Sequence, residues 1–237
     1  MQRLLASCVI AAVAGAAGCA ASGDEAILVQ SNVIAGDNCT TTAGTQTVLA
    51  HGSLDLLLPS GYLFFADLKS RITALVGQED QRTIIVTGAN IDIAFPGSTL
   101  FSAAELTDLH NQNLTHFKAP FSTLITPGGT STVPFEMIPE ALIERILTKA
   151  DLSKRFRLEA LATFSIVGNM SGESVSSQPF TYAVTIGNQV SVNITGNCSA
   201  LATGFIARKG YSCNPAQDGI IDCCLDGNLV CPAPTPQ

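Results

Sequence analysis

Tyr62-Leu63-Phe64-Phe65-Ala66-Asp67-Leu68-Lys69-Ser70-Arg71-Ile72-Thr73-Ala74-Leu75-Val76 is the stretch that decides the fold class. Tyr62, Phe64, Ala66, Leu68, Ile72, Ala74 and Val76 fall on one parity, with Ser70 the single polar member. Asp67, Lys69, Arg71 and Thr73 fall on the other. A period of two over this length predicts a half-buried β-strand, one face on a core and one in water.

Outward from it the theme repeats. Residues 48–58 place Leu54, Leu56 and Leu58 in step and end at Pro59-Ser60-Gly61, a turn signal. Residues 82–95 put Ile85, Thr87, Ala89, Ile91, Ile93 and Phe95 on one face, with Asn90 and Asp92 pointing away. Residues 115–125 alternate Phe117, Ala119 and Phe121 against His116 and Lys118, and Pro120 marks an edge strand. After the turn Pro127-Gly128-Gly129 comes a short strand over residues 132–137. One helix follows, opened by Pro139, with Leu142, Ile143, Ile146 and Leu147 as its apolar stripe.

Residues 155–167 form a second long strand, with Phe156, Leu158, Ala160, Ala162, Phe164 and Ile166 inward. Phe180, Tyr182, Val184 and Ile186, then Val190, Val192 and Ile194, complete seven or eight strands. The reading is mainly β: an Ig-like antiparallel β-sandwich with one short helix and a small disulfide-rich C-terminal tail.

The N-terminus carries an address. Arg3 precedes an apolar run over residues 4–17 that ends in Ala16-Ala17-Gly18-Cys19, the layout of a cleaved secretory signal. The run is too short to span a bilayer, which takes about 20 apolar residues. Four segments follow: a signal at 1–18, a tether at 19–36, the sandwich at 37–195 and the cysteine-rich tail at 196–237. Cleavage leaves 219 residues (237 less 18) and a net charge of −8, from 19 acidic residues against 11 basic once Arg3 is gone. No basic patch stands out to neutralise phosphates, so nucleic acid is not an expected partner.

The eight cysteines sort by position. Cys8 leaves with the signal, and Cys19 stands at its cut. Cys39, Cys198, Cys213, Cys223, Cys224 and Cys231 read as a disulfide framework, with 15 connectivities open on paper. Cys39 stands apart and is expected to tie the start of the fold to the tail. Cys223 and Cys224 are expected to take different partners, because neighbouring Cα atoms lie about 3.8 Å apart. A zinc site would want C-x2-C spacing or a histidine among them, and has neither.

Candidate chemistry is sparse. Gly168-Asn169-Met170-Ser171-Gly172 misses the G-x-S-x-G elbow by one place and reads as a hairpin loop. His51, His110 and His116 lack metal-ligand spacing, and His110 falls in a polar stretch, 108–113, read as a loop. Asp218, Asp222 and Asp226, with Gly219, Gly227 and Asn228, offer carboxylates among glycines, which Ca²⁺ favours. Their spacing of four misses the EF-hand register, so the competing reading is a set of turn-forming residues.

Three resemblances attach to these residues. Ala16-Ala17-Gly18-Cys19 resembles the lipobox of bacterial lipoproteins, which implies a diacylglyceryl group on Cys19 and a mature chain beginning there. Ala20 and Ala21 follow it, where an Asp would imply inner-membrane retention, so the resemblance implies the outer membrane. The tail, from Cys213-Asn214-Pro215-Ala216-Gln217-Asp218-Gly219 to Cys231-Pro232-Ala233, resembles the cysteine-rich ends of myxobacterial-type lipoproteins without an established activity. Residues 62–74, 83–93 and 156–186 are similar in pattern to the Ig-like sandwich of desiccation-related late-embryogenesis and WHy domains.

The expectation is a lipid-anchored envelope lipoprotein serving as a non-catalytic structural or binding module, without a cofactor. Its partners would be the membrane and an envelope or extracellular protein or glycan. Two alternatives stand beside it: an envelope hydrolase with an unidentified site, and a Ca²⁺-dependent adhesion module.

Overall fold

The decisive stretch forms β4 (Tyr62–Ser70), which lies inside a four-stranded antiparallel sheet. Its neighbours are β1 (Ile27–Val33) on one side and β7 (Thr130–Ile138) on the other, with the short β2 (Val48–Leu49) beyond β1. The computed structural model describes residues 26–36, 39–41, 47–75 and 82–233. The signal, Cys8, Cys19, Val76 and residues 234–237 therefore lie outside the described residues. Among the described residues the chain is mainly β, with 13 strands and two α-helices.

The second sheet runs β3 (Gly52–Asp55), β10 (Phe180–Gly187), β8 (Arg157–Met170), β5 (Ile84–Ala94), β6 (His116–Ile125). β9 (Glu173–Ser176) pairs with the far end of β8. Its pairs are antiparallel except β3 with β10. The two sheets enclose one core, centred on Phe64. Its ring lies 5.0 Å from that of Phe164, 5.1 Å from Tyr182, 5.5 Å from Phe135 and 6.0 Å from Phe180. Facing aromatic side chains on two inner sheet faces are what a sandwich packs between its layers.

β8 keeps the expected parity: Leu158, Ala160, Ala162, Phe164 and Ile166 are buried. β4 keeps it too, but stops at Ser70, so Ala74 is exposed and Ile72 only partly covered. Pro120 does sit on an edge strand, β6, where a missing N–H leaves no ladder gap on the open side.

β5 departs from the reading. Ile84 and Val86 are buried while Ile85 faces out, and the pattern then switches so that Ala89, Ile91 and Ile93 are inward. The switch is a bulge between Val86 and Gly88, seen against both β6 and β8. Gly88 sits there at φ 149°, and a Cβ would lie 2.5 Å from the Ala119 carbonyl oxygen. Only glycine fits that position. Ile84→Ala should then cost about 2–5 kcal/mol, as isoleucine truncation in a core does. Ile85→Ala, one residue along, should cost under about 0.5 kcal/mol. Urea unfolding of the two variants tests this, and the reverse ranking would remove the bulge.

Three further expectations change. The described residues hold two α-helices, not one: α1 (Ala103–Asn111) occupies most of the stretch read as a polar loop. Only Leu109 of α1 is buried, so no apolar stripe announces it. Its signal is a capping box, in which Ser102 caps the Glu105 N–H and Glu105 accepts from Ser102 N at 2.8 Å. α2 (Glu140–Leu147) is the expected helix, with Leu142, Ile143 and Ile146 buried. Lys149 pairs with Glu105 and Arg145 donates to Gln112 at 2.8 Å, joining the two helices.

The tether reading of 19–36 also needs correction, because residues 27–33 form β1 within the first sheet. Alternation there is broken by a register shift between Val29 and Ser31 and by buried Asn32, which masks the strand in the sequence. The boundary at 195/196 falls inside β11 (Val192–Asn197). That strand pairs in parallel with β12 (Ile221–Asp226), and β13 (Asn228–Val230) completes a third sheet. Val192, Ile221 and Cys223 form its small core, against which Leu57 and Leu58 of the sandwich pack.

Candidate binding site

The tail is fixed to the sandwich by covalent and polar links that meet at one end of β1 and β4. Cys39 bonds Cys213, 174 residues away, while Cys198 bonds Cys224 and Cys223 bonds Cys231. The expected link from Cys39 to the tail is present, and the adjacent pair does split between partners. Beside it, Tyr211 caps the exit of β1: Ala35 N donates to its hydroxyl at 2.6 Å.

Under that bridge lies a buried polar cluster. Tyr62 donates to Asp218 Oδ2 at 2.7 Å, and Ser53 N donates to Asp218 Oδ1 at 2.7 Å. Asn32 Nδ2 donates to the hydroxyls of Tyr62 at 3.2 Å and Tyr182 at 3.0 Å. Gln217 imitates a strand residue: its Oε1 accepts from Leu63 N and its Nε2 donates to Leu63 O, both at 2.9 Å. Asn214 Nδ2 reaches Gly61 O at 2.7 Å. Fully buried Asp55 completes the junction. Its carboxylate accepts from the backbone N–H groups of Leu57, Val190, Ser191 and Val192 at 2.7–3.0 Å. Four aligned N–H dipoles replace the water that the charge gave up on folding.

Burial pushes the Asp218 carboxyl up from its usual range, against hydrogen bonds from Tyr62, Ser53 and Gln217 that favour the ion. Burial also pushes the Tyr62 hydroxyl well up, with the Asp218 charge second among the causes. The sign follows. A carboxyl raised by folding contributes stability below its unfolded pKa, about 3.9, and loses it as pH rises through the folded value. The melting temperature of the wild type relative to D218N should therefore fall as pH rises from about 4. A gap that moved toward the wild type over that range would contradict the placement.

The junction is flanked by an apolar groove of about 350 Å³, walled by Leu58, Pro59, Pro215, Ile221 and Pro232, with Ser60 and Asn214 as polar points. Such a surface suits an apolar or proline-bearing chain segment better than a charged small molecule. A second hollow of about 370 Å³ opens between residues 96–100 and 156–159, with Arg157 and Glu159 on its wall. Nearby, His51 Nε2 lies 2.8 Å from Thr185 Oγ1, and Thr185 Oγ1 lies 3.1 Å from Glu159 Oε2. His51 Nδ1 also lies 3.7 Å from Glu159 Oε1, so the three side chains form one exposed cluster. Thr185 and Glu159 are cross-strand partners on the open sheet face.

The other expected residues are dispersed. Asp222 binds Arg208 through two guanidinium nitrogens at 2.6 and 2.8 Å and accepts from Asn193, which holds its carboxyl well below the usual range. Asp226 is exposed at the β12–β13 turn. Asp218 is engaged as above, so the three carboxylates proposed for Ca²⁺ are not brought together. Among the described residues no group of three or more His, Cys, Asp or Glu side chains is placed to hold a metal. His110 and His116 stack at 4.9 Å, and His116 Nδ1 meets Asp92 at 2.5 Å, both exposed. Ser171 and Gly172 form the β8–β9 turn at φ 52° and 87°, a hairpin rather than a strand-to-helix elbow. Asp55, Asn32 and Gln217 carry no signal in the sequence, because their partners lie 30 to 154 residues away or are backbone atoms.

No protein-family model matches the chain, and no curated protein matches it significantly.

Proposed function

We propose that this chain is an exported lipoprotein, held at the outer membrane by acyl chains on Cys19, whose sandwich and clasped tail form a non-catalytic binding module. The observation that carries this reading is Ala16-Ala17-Gly18-Cys19 closing an apolar run behind Arg3. The three disulfides support it, since such bonds persist in oxidising compartments and are rare in the cytosol. The groove beside Pro59 and Pro215 supports a protein partner of the envelope or its exterior. A glycan fits its apolar wall less well.

Labelling cells with a clickable fatty acid tests the anchor. The wild type should carry the label, and Cys19→Ser should lose it and remain as uncut precursor or soluble protein. Undiminished label on Cys19→Ser would contradict the lipoprotein reading.

A further inference from the structure

β1 gives the molecule two ends. Its first residues pair with the last of β4, Ile27 opposite Ser70, and its exit adjoins the tail through Ala35, whose N donates to the Tyr211 hydroxyl. Seven strand residues set these ends about 20 Å apart or more. The end where Ala26 enters is built from Arg71 N donating to Ala26 O, Ser70 N donating to Gly129 O, and Arg82 Nη2 donating to Thr73 O.

This entry end carries exposed apolar side chains. Ile85 and Leu124 are direct cross-strand partners on the outer face of β5 and β6, 48% and 62% exposed. Leu75, in the segment leaving β4, is 51% exposed. The bulge at Gly88 is what turns Ile85 outward, so the exposure is built into the strand. Lys69, Arg71 and Arg82 stand at the same end, with Glu173 beside the Ser171–Gly172 turn. Exposed leucine and isoleucine at an end that also carries basic side chains match the boundary between acyl chains and anionic headgroups.

The chain between Cys19 and the fold limits where this end can be. Seven residue steps separate Cys19 from Ala26, and covalent geometry caps them at about 25 Å. Whatever holds Cys19 holds the Ala26 end within that reach. We infer that the Ile85–Leu124 end of the sandwich is a bilayer-docking surface, seated on the lipid that anchors Cys19, so that the tail and its groove point away from the membrane. This rests on the lipoprotein reading. Docking also gives the sandwich a fixed orientation, which decides the face a partner meets.

The test tethers the chain from Cys19 onward, through its free Cys19 thiol, to maleimide lipid in vesicles of phosphatidylethanolamine and phosphatidylglycerol. Hydroxyl-radical footprinting then reads side-chain oxidation with and without vesicles. Ile85, Leu124 and Leu75 should oxidise roughly threefold less or better on the vesicle, as burial at the interface requires. Ile206, 83% exposed in the tail region, should not change. The double variant Ile85→Ser, Leu124→Ser should lose the protection at Leu75 while keeping the wild-type melt. Equal oxidation on and off the vesicle would overturn the proposal. So would protection that appears without vesicles and grows with protein concentration, which would assign the patch to a second copy. Because the tether is supplied artificially, these failures are separate from failure of the lipid reading, which fatty-acid labelling decides.

Discussion

Phe64→Ala lowers the unfolding free energy by about 3–5 kcal/mol, the range for removing a buried phenylalanine and leaving a cavity. Few positions in the chain combine so much lost contact with so little room to collapse. Phe64 is fully buried and its ring meets those of Phe135, Phe164, Phe180 and Tyr182, contributed by both sheets. Edge-on contacts add to the area term, so the loss exceeds what burial alone supplies. Lys69→Ala, five residues on and facing water, should cost under about 0.5 kcal/mol. Chemical denaturation of the two variants gives the ranking directly. A Lys69 variant as damaged as the Phe64 variant would mean β4 is turned over by one residue.

Cys39→Ser is the second large effect. The Cys39–Cys213 bond closes a loop of 174 residues that contains nearly the whole sandwich. On the chain-entropy account such a loop is worth up to about 5 kcal/mol, against about 2.5 kcal/mol for the 8-residue separation of Cys223 and Cys231. The variant should melt at a lower temperature and expose one thiol, Cys213, to maleimide. The tail should nevertheless stay docked under native conditions. Asp55 N donating to Ala216 O, and Gln217 bridging Leu63 N and O, hold it by hydrogen bonds that do not depend on the bridge. A variant with an unchanged melt and no reactive thiol would show that Cys39 was never bonded to the tail.

What is legible in the sequence is what repeats locally. β4 and β8 alternate without interruption through their inward faces, so periodicity alone places Phe64 and Phe164 in the core. β5 is half legible: a bulge inserts one residue, and a fixed period of two then puts Ile85 on the wrong face. β1 and α1 are illegible for opposite reasons. In β1 a buried polar residue, Asn32, interrupts the alternation in order to meet Tyr62 and Tyr182. α1 buries one side chain, so it offers no stripe, and only its Ser102–Glu105 box marks it. The six cysteines are readable as a framework, because charge and spacing leave little else for them. The polar junction is not readable at all. Asp218 looks like a turn residue, which its φ of 54° makes it, and its second role needs Tyr62, 156 residues earlier.

Sandwich and tail form one disulfide-clasped unit, suited to an oxidising compartment. Non-reducing peptide mapping of the purified protein tests that most directly, with partial reduction to separate Cys223 from Cys224. Linked peptides joining Cys39 to Cys213, Cys198 to Cys224 and Cys223 to Cys231 are the predicted result. Free thiols at these six positions, or a zinc ion retained on them, would contradict it.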